Sequence, residues 1–282
     1  MRTQIKLIAL DMDGTLYNNQ SQISDVNQTT IRHATAQGIE VVISTGRPYA
    51  GLPLELLGTL GIRYAITAGG AAIYRLADSA CIYTSRMEPA VVCPILEKLQ
   101  EKDIHIDAFI GGDGYTISSC RDRISQLALP ESIKQYIRDT RIFKDDLTAY
   151  IASAHRTVEK VTLNFYKTPD GSFAHRDEVA SFLSTCPQIS AVTGGYYNLE
   201  FTKTGTTKGS ALSYLCEYLN IPISATMACG DTQNDIDILK TAAIGVAMDN
   251  ASDAVKSVAD YITLSNEENG VSHAIRHFTG IA

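Results

Sequence analysis

Apolar positions open the chain in a near-continuous run over residues 5–10, and the run stops against Asp11-Met12-Asp13-Gly14-Thr15. A run that does not alternate with polar residues marks a strand covered on both faces, as in a parallel sheet. The pattern recurs at 39–44, ending in Thr45-Gly46-Arg47-Pro48, and at 64–67, ending in Ala68-Gly69-Gly70-Ala71. Between the first two runs Ser24 caps a predicted helix over 25–36, which Gly38 closes. A second predicted helix closes near Gly58 to Gly61. Strand and helix in this rhythm predict an α/β fold with a doubly wound parallel, Rossmann-like sheet.

The middle of the chain reads differently. A helix is predicted over 88–101, with Pro89 in its first turn. Runs at 104–110 and 115–118 flank Gly111-Gly112-Asp113-Gly114 and predict a hairpin. Short helical stretches surround Pro130, a strand is predicted over 160–166, a helix over 174–185, and short strands over 189–192 and 198–201. Turn-linked strands with interspersed helices predict an inserted α+β domain. From 208 onward the α/β rhythm returns: a helix over 208–219, strands at 226–229, 244–247 and 261–263, and helices between and after them. The expected division is a core of residues 1–83 and 195–282 around an insert of 84–194.

Of the 282 residues 45% are apolar and 20% charged, enough to bury a core. The net charge of −7 argues against nucleic acid, whose phosphates demand a basic footprint. Six cysteines without paired spacing read as small buried hydrophobes of a reducing compartment. No apolar run approaches the roughly 18 residues of a membrane span, and Asp11 interrupts an N-terminal stretch too short for a signal peptide. The expectation is a cytoplasmic protein without membrane, nucleic-acid or obligate protein partners.

Candidate chemistry lies where the core strands end. Asp11 to Thr15, Ser44 to Arg47, Thr207-Lys208-Gly209 and Gly230-Asp231-Thr232-Gln233-Asn234-Asp235 fall at strand ends or a helix start. In a doubly wound sheet these positions converge on one crevice. They supply acids, a hydroxyl with nearby N–H groups, and a lysine. Such a set suits phosphoryl transfer: one carboxylate attacks phosphorus and a second moves the proton. A lysine and N–H donors stabilise charge, and a hard divalent cation bridges carboxylates and phosphate.

Those four motifs, in that order, resemble the haloacid dehalogenase superfamily. More narrowly the chain is similar to its Cof-type sugar-phosphatase group, with Ala247-Met248-Asp249-Asn250-Ala251 and Asn269-Gly270-Val271 as further likenesses. The insert stands where that group carries a type-two (C2B-like) cap. The resemblance implies Asp11 as nucleophile and metal ligand, and Asp13 as general acid/base that also lends its backbone carbonyl to Mg²⁺. It implies Thr45 and the N–H groups of Gly46 and Met12 on the phosphoryl oxygens. Lys208 would bridge phosphate and nucleophile, Asn234 would touch phosphate, and Asp231 and Asp235 would serve the metal. Arg47 is expected to contact substrate. The pattern departs at Gly69, where the group often has Asn, and at Asp249, where glycine is common.

The expected activity is Mg²⁺-dependent hydrolysis of a small phosphorylated metabolite, a sugar phosphate, through an aspartyl-phosphate. Two alternatives stay open: a phosphomutase or other phosphotransferase, and a phosphate-binding regulatory protein without activity.

Overall fold

The computed structural model describes residues 4–281. Its strands are β1 Leu7–Leu10, β2 Glu40–Ser44, β3 Tyr64–Thr67, β4 Ala72–Arg75, β5 Ala80–Thr84, β6 Ile104–Ile110 and β7 Asp113–Ile117. They continue as β8 Arg141–Lys144, β9 Lys160–Phe165, β10 Ile189–Thr193, β11 Leu199–Lys203, β12 Thr226–Gly230, β13 Ile244–Ala247 and β14 Tyr261–Ile262. The α-helices are α1 Asp25–Ala36, α2 Leu54–Thr59, α3 Pro89–Gln100, α4 Glu131–Thr140 and α5 Leu147–Ala152. They are followed by α6 Arg176–Ser184, α7 Lys208–Leu219, α8 Ile236–Thr241, α9 Asp253–Lys256 and α10 Gly270–Thr279.

The chain divides into two compact units. One holds the residues up to Arg47, Pro53–Tyr83 and everything from Thr207; the other holds Pro48–Leu52 and Thr84–Thr206. In the first unit, eight strands form a sheet in the order β14-β13-β12-β1-β2-β3-β4-β5. β1 lies centrally, parallel to β12 on one side and β2 on the other, with Leu10 opposite both Cys229 and Ile43. That register brings Asp11, Gly230 and Ser44 to one edge of the sheet. The strand order reverses at β1, and such a reversal opens a crevice at the carboxyl ends. Every residue of β1, β2 and β12 is buried. Each large aliphatic side chain so covered contributes about 1.5–3 kcal/mol.

The core departs from the sequence expectation in two places. Residues 48–61 were expected to hold one helix. They form a short 3₁₀ turn, Tyr49–Gly51, and the six-residue α2, because Pro48 and Pro53 each forbid helix across them. The parallel sheet also gains an antiparallel extension, with β4 pairing back on β3.

The second unit is a six-stranded sheet, β10-β11-β9-β6-β7-β8. Its pairs are antiparallel except β7 with β8, which run parallel. Alternate residues on β6 and β9 (Ile104, Ile106, Ala108; Val161, Leu163, Phe165) join the apolar core that includes Val92, Leu96, Leu147, Ile151 and Leu183 from helices α3, α5 and α6. The intervening residues, His105, Asp107, Lys160, Thr162 and Asn164, are polar and also buried. Among them His105 Nε2 lies 3.0 Å from Asp107 Oδ1, and Arg141 Nε donates to Asp107 Oδ2 at 3.0 Å.

The expected boundary at 195 does not coincide with the division between units, which comes after Thr206. The reason is β11: it pairs with β10 through Ile189↔Lys203 and with β9 through Phe201↔Val161, so it cannot leave this sheet.

Candidate active site

The turn after β1 is held by a backbone hydrogen bond to β12 and by others within the turn itself. The Asp11 N–H donates to Cys229 O (3.1 Å), and the N–H groups of Leu16 and Tyr17 return to Asp11 O and Met12 O (3.2 and 2.8 Å). Gly14 sits at φ +86°, and a Cβ there would collide with Asp231 Oδ2. Glycine is therefore required twice, by the left-handed backbone and by the approach of a carboxylate. Thr15 Oγ1 donates to Asp231 Oδ1 at 2.8 Å, which ties the first motif to the fourth.

Helix α7 delivers the lysine. Thr207 is its N-cap, with a reciprocal capping box to Ser210. The Thr207 hydroxyl also donates to Asp237 Oδ2 on α8. Gly70 fits against the Thr207 carbonyl at φ +101°, where any side chain would push the helix start away. Lys208 is thereby fixed in the first turn, fully buried, with Nζ donating to Asp11 Oδ1 (2.7 Å) and Asp235 Oδ1 (2.6 Å). Burial alone would push its ammonium down, yet the charges of Asp11 and Asp235 hold it above its ordinary value.

Asp235 is a fastener as well as an acid. Its Oδ2 accepts from the N–H groups of Asp231 (3.1 Å) and Thr232 (3.0 Å). Asp11, Asp231 and Asp235 offer carboxylate oxygens that all lie within 4.8 Å of one another. Burial, with repulsion from Asp235 and Asp231, raises Asp11 well above the usual carboxylate range, against the pull of Lys208. Burial and the charge of Asp235 push Asp231 up to about 7. Three converging acids face one ammonium, so the group lacks positive charge. An all-oxygen, acid-rich donor set of this kind fits a hard divalent cation.

Asp13 points elsewhere. Its two oxygens accept from Arg47 Nε (2.8 Å) and Nη2 (2.6 Å). The Arg47 backbone is anchored in turn: its N–H donates to Thr45 Oγ1 (3.1 Å) and its carbonyl accepts from Ala68 N–H (2.8 Å). Gly69 N–H donates to Thr45 O at 3.0 Å. Ala68 and Gly69 both adopt positive φ, 51° and 69°, which aims consecutive N–H groups at this turn.

Of the residues expected from sequence, Asp11, Lys208, Asp231 and Asp235 come together directly. The Asp13 carboxylate and Arg47 pair beside them. Thr45 is buried at the end of β2 and its hydroxyl accepts from Arg47. Asn234 Oδ1 accepts from Thr232 Oγ1 at 2.9 Å. The Met12 side chain is wholly buried, so only its backbone could serve a ligand.

Three supports escaped the sequence reading: Thr15, Asn250 and Asn266. Asn250 Nδ2 donates to Gly14 O (2.8 Å), its Oδ1 accepts from Asn266 N–H (3.0 Å), and Asn266 Nδ2 donates to Tyr17 O (2.9 Å). These asparagines pin the Asp11 turn from residues more than two hundred positions away. Thr15 and Asn250 stood inside motifs already recognised; Asn266 carries no local signal.

A family model described as haloacid dehalogenase-like hydrolase matches residues 8–275. The phosphatase YwpJ of Bacillus subtilis is 32% identical over 97% of this chain and 99% of its own. The 5-amino-6-(5-phospho-D-ribitylamino)uracil phosphatase YcsE of the same organism is 33% identical over 97% and 96%. Among solved structures, the subclass IIB sugar phosphatase BT4131 superposes with a TM-score of 0.79 at 26% identity, covering 98% of this chain and 100% of its own.

Proposed function

This chain belongs to the haloacid dehalogenase-like hydrolases and is a phosphatase; from that premise we propose that it is a Mg²⁺-dependent phosphomonoesterase of small phosphorylated metabolites, sugar phosphates in particular, working through an aspartyl-phosphate on Asp11. The observation that carries the reading is the contact of Lys208 Nζ with Asp11 Oδ1 inside a cluster of three acids at the sheet's carboxyl edge. Pure phosphate binding needs no carboxylate held at that point.

In the first step an Asp11 carboxylate oxygen attacks phosphorus, the bond from phosphorus to the ester oxygen breaks, and Asp13 gives its proton to the departing oxygen. In the second, Asp13 takes a proton from water as that water attacks the aspartyl-phosphate, releasing phosphate and restoring Asp11. Lys208 steadies the Asp11 oxygen and offsets charge on the transferring group. The hydroxyl of Thr45 and the N–H groups of Met12 and Gly46 receive phosphoryl oxygens, with Asn234 beside them. Asp11, Asp231, Asp235 and the Asp13 backbone carbonyl would hold Mg²⁺, which when bound supplies the positive charge that the acid cluster lacks.

The substrate class follows the relatives, one named for a phosphorylated ribityl chain and one called a sugar phosphatase. Among the described residues no helix is long and apolar enough to cross a membrane. All six cysteines are free, which suits the cytoplasm.

The test is phosphate release from a panel of phosphorylated metabolites and from 4-nitrophenyl phosphate, with Mg²⁺ or with a chelator, for the wild type and Asp11→Asn. Turnover that requires Mg²⁺ and Asp11, with a sugar phosphate among the best esters, is the expected result. Activity retained by Asp11→Asn would remove the nucleophile assignment; activity unchanged by chelation would remove the metal.

A further inference from the structure

The Arg47 guanidinium meets Asp13 as a fork, with one donor on each carboxylate oxygen. Surface ion pairs of long side chains are loose and contribute little. This one is built differently. The Arg47 side chain is only 11% exposed, against 34% for Asp13. Its backbone is gripped at both its N–H and its carbonyl, by Thr45 and Ala68. The guanidinium carbon stands 5.2 Å from the centre of the Tyr17 ring, so an aromatic face backs the fork. Tyr17 is itself buried and fixed through Met12 and Asn266.

A planar fork against a planar carboxylate fixes the plane of the carboxylate, which a single point charge cannot do. A carboxylate offers about four lone-pair directions. The fork takes one on each oxygen and leaves one on each for a leaving oxygen or a water. Arg47 therefore constrains Asp13 without blocking it.

We infer that Arg47 is a positioning residue that aims the Asp13 carboxyl at the leaving-group oxygen. The inference rests on the proposed acid/base role of Asp13. Arg47 keeps all its protons throughout; the proton that moves is carried on an Asp13 lone pair that the fork leaves open, passes to the ester oxygen as its bond to phosphorus breaks, and is regained from the water that opens the aspartyl-phosphate. The consequence is selectivity for leaving groups. A sugar alkoxide departs poorly without a proton, whereas 4-nitrophenolate needs little help. Losing the aim of Asp13 must then cost more on alkyl esters than on the aryl ester.

The experiment measures kcat and KM with Mg²⁺ for glucose 6-phosphate and 4-nitrophenyl phosphate. The proteins are the wild type, Arg47→Met, Arg47→Gln, Arg47→Lys, Asp13→Asn and the Arg47→Met/Asp13→Asn double variant, each checked for folding by thermal melting. Arg47→Met is expected to lower kcat on the sugar ester about 100-fold, and to lower it on the aryl ester about tenfold less than that. Arg47→Gln should do the same, which covers the case of a poorly folded methionine variant. Lysine should not restore the ratio, and Arg47→Met should add nothing on the sugar ester once Asp13 is Asn. Equal losses on both esters, a rise confined to KM, or full rescue by lysine would overturn the inference. If instead Asp13→Asn itself loses equally on both esters, the acid role of Asp13 falls, a result separate from any behaviour of Arg47.

Discussion

Lys208 Nζ sits 2.7 Å from Asp11 Oδ1, with both side chains removed from solvent. The pair joins the first turn of α7 to the end of β1, and it sets an ammonium against the carboxylate proposed to attack phosphorus. Lys208→Met removes that cation and leaves Asp11 and Asp235 unpaired in a buried cluster. Activity is expected to fall at least about 100-fold, as when a donor to the transition-state charge is lost. Breaking a buried pair from one side also costs roughly 3–5 kcal/mol. Steady-state kinetics and urea unfolding of the same variant check both.

Cation binding should depend on acidity. Asp231 is pushed up to about 7 by burial and by the charge of Asp235, so below that pH a proton competes for its carboxylate. The apparent affinity for Mg²⁺ is expected to weaken as pH falls through about 7, where protons on Asp231, and on the likewise raised Asp11, compete with the cation. Titration calorimetry at pH 6, 7 and 8 measures this. A cation near 100 times its dissociation constant adds about 2.7 kcal/mol of stability, so melting temperatures report the same trend. An affinity flat over that range would contradict the assignment.

Gly14→Ala tests the contact between the first and fourth motifs. The substitution places a side chain at φ +86°, which costs roughly 1–2 kcal/mol for an L-residue. It also drives a methyl group into Asp231 Oδ2. A lower melting temperature is expected, together with a loss of activity larger than that destabilisation explains, because Asp231 must move. Activity assayed well below the melting temperature separates the two effects.

In the second unit, His105 gives a pH-dependent stability. Burial would lower its pKa, but the Asp107 carboxylate overrides this and lifts it from 6.5 to about 9. A histidine raised on folding contributes fully below pH 6.5, and that contribution is lost as pH rises through about 9. The span corresponds to about 3 kcal/mol. Hydrogen exchange of the β6 amides at pH 6.5 and pH 9.5, corrected for intrinsic rates, should show the opening free energy dropping by this order. His105→Asn should flatten the dependence.

The parallel core was readable because its strands are buried on both faces and leave short continuous apolar runs, which their length and flanking turn residues distinguish from buried helix. Asp11, Thr45 and Asp231 were legible as candidates for the same reason: each stands where such a run ends. The break at 48–61 carried its own signal in Pro48 and Pro53. The β4 extension and the place of β11 did not. Both are edge or near-edge strands whose short mixed sequences gain their partners only from pairing, and the unit boundary moved to Thr206 accordingly.

The sequence by itself determined which residue types stand at the strand ends, hence the family and the chemistry within reach. Tertiary structure decided which partner each of them meets. Asp11 and Asp13 are two residues apart in one motif, yet the turn sends one carboxylate to Lys208 and the other to Arg47. Order along the chain cannot encode that split, because each partner arrives from a different element, through a capped helix start in one case and a turn gripped by left-handed N–H groups in the other.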